Sequence, residues 1–252
     1  MTKRIIAIAN QKGGVGKTTT AVNLGAALTR QARSVLLVDC DPQGQVATFL
    51  GLRQESTLFD LLVSGRPLAE VIRSASRNNH DRPGLSVIPG DRRTATAQTV
   101  LASEGFRLQA LGEALAPARA DFLIFDTSPS VGLLQEAALF AADWLIVPSA
   151  VDYAATEGLM AILATLKAQQ ERGARCQLAG VVPTFFDEVT RESRATLEEL
   201  RETFGDAVWP PIHRATILRE CAAEGVTVFE RDPIGRAARE YAELAERVLA
   251  HE

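Results

Sequence analysis

The stretch NQKGGVGKTTT, residues 10–20, indicates the fold class of this chain more specifically than any other segment. It follows the apolar run RIIAIA, which begins at Arg4, and it leads into TTTAVNLGAALTRQ, whose apolar residues have helical spacing. Gly16, Lys17 and Thr18 match the end of the phosphate-loop pattern G-x-x-x-x-G-K-[ST]. A glycine loop between a strand and a helix lets backbone N–H groups and the helix N-terminus hold a polyphosphate. The stretch therefore predicts a nucleotide-binding α/β protein.

The same stretch departs from the standard pattern at two positions. Gln11 stands where the pattern has its first glycine, and Lys12 adds a lysine that a phosphate loop does not require. Gly13 and Gly14 follow directly, so the loop keeps the glycines that a tight turn needs. The loop pattern alone leaves the purpose of the second lysine open.

Six short apolar runs alternate with segments of helical periodicity along the chain. Their Val, Ile and Leu residues do not alternate with polar ones, which is typical of parallel strands covered on both faces. This order predicts a single domain, residues 1–252, with one doubly wound, mostly parallel sheet flanked by helices. The polar segment 74–84 is predicted to be a surface loop. The predicted strands are RIIAIA from Arg4, SVLLVD from Ser34, LSVIP from Leu85, FLIFD from Phe122, WLIVP from Trp144 and LAGVVP from Leu178.

Polar motifs follow several of these strands directly. DCDPQG ends the second predicted strand, DTSPS follows FLIF, and PSAVDYAATEG follows WLIV. Ligands of doubly wound sheets bind beyond the carboxyl ends of the strands. We therefore expect these motifs and the glycine loop to form one nucleotide site.

Two loop residues and three carboxylates have predicted roles in that site. Lys17 is expected to reach the β- and γ-phosphates, and the Thr18 hydroxyl to bind Mg²⁺. Asp126 ends an apolar strand, the usual position of a Walker B acid that holds Mg²⁺. Asp39 and Asp41 face opposite directions if the chain is extended, so Asp39 is expected to point toward the metal or the loop. Asp41 is our candidate for orienting the attacking water, although two solvated loop acids are the alternative.

The composition excludes other classes of protein. The chain has 46% hydrophobic and 23% charged residues, as in an ordinary soluble domain. Cys40, Cys176 and Cys221 are widely spaced and indicate neither a disulfide framework nor a zinc site, so a reducing cytoplasm is expected. No apolar run has the length of a signal peptide or a membrane span. The net charge of −4 means that nucleic-acid binding would require a local basic patch.

KGGVGKTT, DCDPQG and DTSPS, in this order and spacing, resemble the ParA/MinD family of deviant Walker A P-loop ATPases. The resemblance extends along nearly the whole chain, through TLFDLLVSG, GLSVIPGD and VPSAVDYAATEGL, and points to short, Soj-like ParA proteins. It implies that Lys12 is the signature lysine, which reaches across a homodimer interface to the phosphates of the partner's ATP. Bound ATP would then hold the dimer, and hydrolysis would release it. The resemblance also assigns water positioning to Asp41, the metal neighbourhood to Asp39 and the interface to Asp152.

The cofactors implied by the resemblance are ATP and Mg²⁺, and the adenine pocket is expected around PTFFD and PPIHR. The catalytic candidates are Lys12, Lys17 and Asp41. The metal candidates are Thr18, Asp39 and Asp126. The predicted nucleotide-binding residues are Lys12, Gly13, Gly14, Val15, Gly16, Lys17, Thr18, Thr19, Pro183, Thr184, Pro211 and Ile212.

The C-terminal segment AAREYAELAERVLAHE favours the ParA branch over the membrane-binding MinD branch. Its apolar stripe, from Tyr241 to Leu249, predicts a helix docked on the core, and its mixed polar face is unsuited to anionic lipid. ParA-like members bind DNA non-specifically as the ATP dimer. Residues 185–252 contain 9 arginines and 15 acids, so ion pairs with neighbouring acids are the alternative for each arginine. The candidates for phosphate contacts are Arg191, Arg194, Arg214, Arg219 and Arg236.

These features predict a cytoplasmic, nucleoid-associated ATPase that partitions or positions a plasmid, a chromosome origin or a protein cluster. A ParB-like partner would stimulate its slow hydrolysis, and no membrane partner is expected. The alternative is an ATP-switched regulatory dimer, MinD-like or MipZ-like, that acts through protein partners with little DNA binding. The acidic C-terminal third favours this alternative.

Overall fold

A seven-stranded sheet forms the centre of the structure, a computed structural model that describes residues 3–77, 80–103, 105, 107–152 and 155–251. The strands are β1 (Arg4–Ile8), β2 (Val35–Asp39), β3 (Arg73–Ser74), β4 (Leu85–Ile88), β5 (Phe122–Asp126), β6 (Trp144–Ala150) and β7 (Gln177–Thr184). The helices are α1 (Lys17–Arg30), α2 (Gln45–Phe49), α3 (Leu58–Leu62), α4 (Leu68–Val71), α5 (Arg93–Ser103), α6 (Ala110–Leu115), α7 (Leu133–Ala141), α8 (Ala155–Glu171), α9 (Arg191–Phe204), α10 (Thr216–Glu224), α11 (Val228–Arg231) and α12 (Arg236–Ala250). A 3-10 turn, Gly205–Ala207, follows α9.

The strand order, β3-β4-β2-β5-β1-β6-β7, confirms the predicted doubly wound sheet. Neighbouring strands are parallel except β3, which runs antiparallel to β4. All six predicted strands are present. β3 was not predicted, because two residues at the edge of a sheet give no apolar pattern. The segment predicted as a loop begins in β3 and contains a bridge between Arg77 and His80, while residues 78 and 79 lie outside the described residues.

Successive residues of β1, an inner strand of the sheet, pack on opposite faces of the sheet. Ile6 and Ile8 join a core with α1 and α12, whereas Ala7 and Ala9 join a different core, which α8 and α9 complete. This alternation is the two-residue period of a strand, and burial on both faces explains why β1 has no polar face. The strands therefore form the middle of three layers.

The middle of the sheet brings three of the predicted motifs together. β5 lies between β2 and β1, so Asp126 is the register partner of Asp39 on one side and of Ile8 on the other. The glycine loop follows β1, and DCDPQG and DTSPS follow from the ends of β2 and β5. Their convergence at one edge of the sheet is therefore a direct result of strand order.

The C-terminal helix α12 packs on the core, as its apolar stripe predicts. Tyr241, Leu244, Ala245 and Val248 are buried in the same cluster as residues of α1, and Leu249 is partly buried against it. Within the part of the chain that the structure describes, none of the helices combines the length and the apolar character that crossing a membrane requires.

Candidate nucleotide site

The glycine loop has an open inner surface that leads into α1. Gly14 and Gly16 have φ angles of 72° and 85°, in the left-handed region that favours glycine. A Cβ added at Gly13 or Gly14 would meet no atom within 4 Å. The open loop and the start of α1 at Lys17 together form the kind of backbone cradle that binds polyphosphate.

The Lys17 side chain is held inside this loop. It is 7% exposed, and its Nζ donates a hydrogen bond to the backbone oxygen of Lys12 over 3.0 Å. Burial lowers the pKa of Lys17, while the negative charges of Asp126 and Asp41 act in the opposite direction. The loop thus holds the Lys17 ammonium close to two carboxylates, and a bound phosphate group would place further negative charge beside the same ammonium.

Thr18 and Asp126 form a pair of oxygen ligands beside Lys17. Thr18 Oγ1 donates to Asp126 Oδ2 over 2.7 Å. Burial, with a further contribution from Asp41, raises the pKa of Asp126 to about 7 despite the Thr18 hydrogen bond and the charge of Lys17. Asp126 Oδ1 is buried without a hydrogen-bond partner among the residues described.

These oxygens fit Mg²⁺, which is usually bound by one or two carboxylates together with substrate phosphates. An unpartnered buried oxygen is uncommon and needs an explanation, and a cation beside Asp126 would supply the missing partner. Thr18 and Asp126 are therefore the residues that would hold the metal. When bound, Mg²⁺ would neutralise charge on the phosphates.

Asp39 supports the loop that follows β2. Its two carboxylate oxygens accept hydrogen bonds of 3.0 Å from the backbone N–H groups of Asp41 and Val46. The side chain is fully buried, and burial together with the charge of Asp126 raises its pKa well above the usual range. A Cβ on Gly90 would lie 2.9 Å from the Asp39 carbonyl oxygen, so this position requires glycine. The geometry favours a positioning role for Asp39 over the metal-binding role that the sequence suggested.

Asp41 lies in a cleft of about 320 Å³ with the glycine loop. Its Oδ1 accepts a hydrogen bond of 2.8 Å from the backbone N–H of Gln43. Gly14, Gly16, Lys17, Thr18 and Thr19 line the same cleft, as do Gln43, Gln45, Pro129 and Phe185. The predicted water-positioning carboxylate is therefore beside the predicted phosphate-binding residues.

A second pocket, of about 440 Å³, adjoins the phosphate cleft through Gly14, Gly16 and Thr19. Thr184 and Ile212 line it, whereas Pro183 and Pro211 are not among its lining residues. Two hydrogen bonds fix its walls: Thr184 Oγ1 donates to the Val15 oxygen over 2.9 Å, and the Ile212 N–H donates to the Pro183 oxygen over 2.8 Å. Pro183 therefore contributes through its backbone.

Several residues of this pocket were missed or assigned differently from the sequence. Phe185 lines both the pocket and the phosphate cleft and has a φ of 55°, which is uncommon for a residue other than glycine. The Arg214 guanidinium lies 5.8 Å from the centre of the Phe185 ring. Arg214 and Arg219, predicted as DNA contacts, line this pocket together with Tyr241. Phe185 and Arg214 lie within the PTFFD and PPIHR stretches around which the adenine pocket was expected, whereas nothing local marked Tyr241.

Lys12 is not among the residues that line these two pockets, and its side chain contacts residues before and within α8 of its own chain. Its ammonium forms an ion pair with the Asp152 carboxylate of the same chain, and the side chains are 27% and 50% exposed. The Lys12 N–H donates to Asn10 Oδ1 over 2.9 Å, and Asn10 Nδ2 donates to the Pro148 oxygen over 2.8 Å. Gly158 packs so closely that an added Cβ would lie 2.8 Å from the Lys12 Cβ. These contacts place Lys12 at the rim of the site.

Gln11, which stands in place of the first glycine of the loop pattern, uses its side chain for a contact with α8. Its Nε2 donates a hydrogen bond of 2.6 Å to Thr165 Oγ1 on α8. A glycine at this position would have no side chain to make this contact. Position 11 therefore ties the loop to α8.

Comparison with known proteins agrees with this geometry. A family model described as an AAA domain matches residues 3–179. The chain is 37% identical over 255 residues to the sporulation initiation inhibitor protein Soj of Bacillus subtilis, covering 98% of this chain and 99% of the relative. It is 38% identical over 249 residues to the chromosome-partitioning ATPase Soj of Thermus thermophilus, covering 98% and 96%. The chain belongs to the Soj/ParA family of partition ATPases.

A solved structure of a similar protein contains a nucleotide analogue and magnesium. Cobyrinic acid a,c-diamide synthase from Mycobacterium smegmatis, with a bound ATP analogue and magnesium, is similar at a TM-score of 0.83 and 32% identity, with 99% of this chain and 96% of that chain covered. The resemblance inferred from the motifs is thus confirmed for the family, and nucleotide and magnesium binding are properties of that family. The roles of the individual site residues stay predictions.

Proposed function

We propose that this ParA-type ATPase forms a homodimer on ATP binding, binds DNA non-specifically as that dimer, and hydrolyses ATP slowly until a ParB-like activator stimulates it. The cycle would partition or position a plasmid, a chromosome origin or a protein cluster on the nucleoid in the cytoplasm. The observation that supports the dimer is the difference in position between the two loop lysines, Lys12 and Lys17. Around the two pockets, the described lining residues include Lys17 but not Lys12.

The loop divides its work between two subunits in this proposal. Lys17 binds the phosphates of its own subunit's ATP, and Asp41 orients the attacking water there. Lys12 supplies a second cation to the partner's phosphates, so charge developing in the transition state is fully stabilised only in the dimer. For this, Lys12 must leave Asp152. The pair is partly exposed, and such pairs contribute about 0–1 kcal/mol, so breaking it costs little.

DNA binding rests on exposed arginines at the ends of two helices and in the loop before α10. Arg191 and Arg194 lie in the first turn of α9, and Arg236 begins α12. Arg214 is exposed on the loop between these elements. The 15 acids in residues 185–252 oppose a strong interaction. We therefore propose weak binding that depends on salt, since each phosphate contact releases counterions.

The Asp41→Ala variant tests the DNA proposal because it is expected to retain ATP and accumulate as the dimer. With ATP, this variant should bind a labelled DNA duplex at low salt, and the affinity should fall steeply as salt is raised. The same variant with ADP is the matched control and should stay unbound. Absence of DNA association at low salt with ATP would contradict this part of the proposal.

The second candidate is a regulatory dimer that acts through protein partners. It is favoured by the acidic C-terminal third and by the relative from Bacillus subtilis, which is named an inhibitor of sporulation initiation. Gel filtration with ATP, followed by a DNA pull-down, separates the two candidates. An ATP-dependent dimer that leaves DNA unbound would favour the regulatory dimer.

A further inference from the structure

A third cleft, of about 410 Å³, adjoins the 440 Å³ pocket beside the phosphate cleft. It is built from residues 186–189 after β7, residues 213–215, and residues 236, 237 and 240 of α12, and we call it the arginine cleft. Residues 213–215 also line the 440 Å³ pocket. The arginine cleft therefore shares a wall with the candidate nucleotide site.

Two arginines that are distant in sequence line this cleft, and a third contacts the backbone of a residue that lines it. Arg214 and Arg236 are exposed and line it. Arg194, from the first turn of α9, donates from Nη1 to the backbone oxygen of Glu188 over 3.1 Å. The fold thus brings three arginines to the loop 186–189, where three acids, Asp187, Glu188 and Glu240, also lie.

Three acids line the cleft, and two of them, Asp187 and Glu240, accept hydrogen bonds from or pair with neighbouring residues. Asp187 Oδ1 accepts the Val189 N–H over 3.0 Å, which closes a local turn. Glu240 contacts His213 twice, at 2.6 Å from Oε1 to Nδ1 and at 3.0 Å from the His213 N–H to Oε2. These carboxylates hold the walls of the cleft together.

Glu188 has a different environment. Its Oε1 lies 3.5 Å from Arg236 Nη1, and the two side chains are 63% and 55% exposed, respectively. An exposed ion pair of this kind contributes about 0–1 kcal/mol, so another anion can displace it at little cost. The Glu188 charge stays within a Debye length of the cleft after displacement and weakens the attraction for that anion.

We propose that the arginine cleft binds a DNA backbone phosphate between Arg214 and Arg236, and that Glu188 is a built-in competitor which occupies Arg236 when DNA is absent. This inference rests on the proposed DNA binding and adds its regulation: a single carboxylate keeps the affinity low. Low affinity suits a protein that must leave DNA when its ATP is hydrolysed. Arg191 lies outside the group of residues that line the cleft.

The Glu188→Gln variant tests the competitor role, because it keeps the shape of the side chain and removes its charge. In the ATP-bound Asp41→Ala background, it should lower the Kd for a labelled duplex about threefold or more at low salt, measured by fluorescence anisotropy. Glu202→Gln is the matched control, since Glu202 is an exposed acid near the other end of α9. With Arg236→Ala added, the gain from Glu188→Gln should largely disappear, because the displaced partner is gone.

The outcomes separate this inference from the proposed function. Equal affinities for Glu188→Gln and Glu202→Gln, with DNA binding intact, would overturn the competitor role alone. If none of the proteins binds DNA, the proposed DNA function fails. The salt concentration at which each variant elutes from a heparin column then tests whether the cleft binds a polyanion. Later elution of Glu188→Gln than of Glu202→Gln would support a polyanion site in the cleft, and equal elution would overturn it.

Discussion

Lys17→Ala is expected to lower the affinity for ATP about 100-fold and to abolish measurable hydrolysis. The side chain is buried in the glycine loop, and its ammonium lies close enough to Asp126 and Asp41 to feel both charges. Removing one preorganised donor from an oxyanion site typically lowers the rate by a factor of about 10²–10³. A lost hydrogen bond to a charged group, about 1.5–3 kcal/mol, corresponds to a loss of affinity of about 10- to 100-fold. Binding of a fluorescent ATP analogue and phosphate release measure the two effects.

The control for this prediction is Lys167→Ala, because Lys167 is an exposed lysine on α8 that lines neither pocket. It removes the same charge and should leave ATP binding unchanged. If Lys17→Ala bound ATP as well as Lys167→Ala did, the glycine loop would not be the phosphate site.

Lys12→Ala is expected to abolish ATP-dependent dimerisation while nucleotide binding persists. The contact that Lys12 makes with Lys17 uses the Lys12 backbone oxygen, which alanine keeps, so the loop should hold its shape. The lost ammonium is the group that we assign to the partner's phosphates. Asp152, which is half exposed, stays accessible to solvent in the variant, so folding should be unaffected. Gel filtration with light scattering, with and without ATP, measures the dimer, and an unchanged dimer would contradict the assignment.

Sequence patterns predicted most of the fold because the features that decide it are local. Continuous apolar runs mark the buried parallel strands, and the glycine loop marks the β1–α1 junction. The convergence of Asp39, Asp41 and Asp126 was also predictable, since motifs at the carboxyl ends of parallel strands share an edge. β3 was missed because a two-residue edge strand is set by its pairing with β4 and not by its own sequence.

The finer parts of the site depend on contacts that sequence spacing does not contain. Asp39 lies beside Asp126 as expected from the motifs, but spacing did not show that two backbone N–H groups from the following loop donate to its oxygens. Arg214 was selected as a DNA contact for its charge, and only the fold shows that it lines both the 440 Å³ pocket and the arginine cleft. The ion pair of Lys12 with Asp152 joins residues 140 positions apart, so spacing alone could not reveal it.

The central claim is that Lys12 acts on the ATP of the other subunit, and mixing two inactive variants tests it most directly. In a heterodimer of Lys12→Ala with Asp41→Ala, one site combines the glycine loop and Asp41 of the first subunit with Lys12 of the second. That site is complete only if Lys12 works across the interface. The account predicts that the mixture hydrolyses ATP well above the sum of the separate variants. A rate equal to that sum, although a tagged pull-down with ATP recovers the heterodimer, would contradict it.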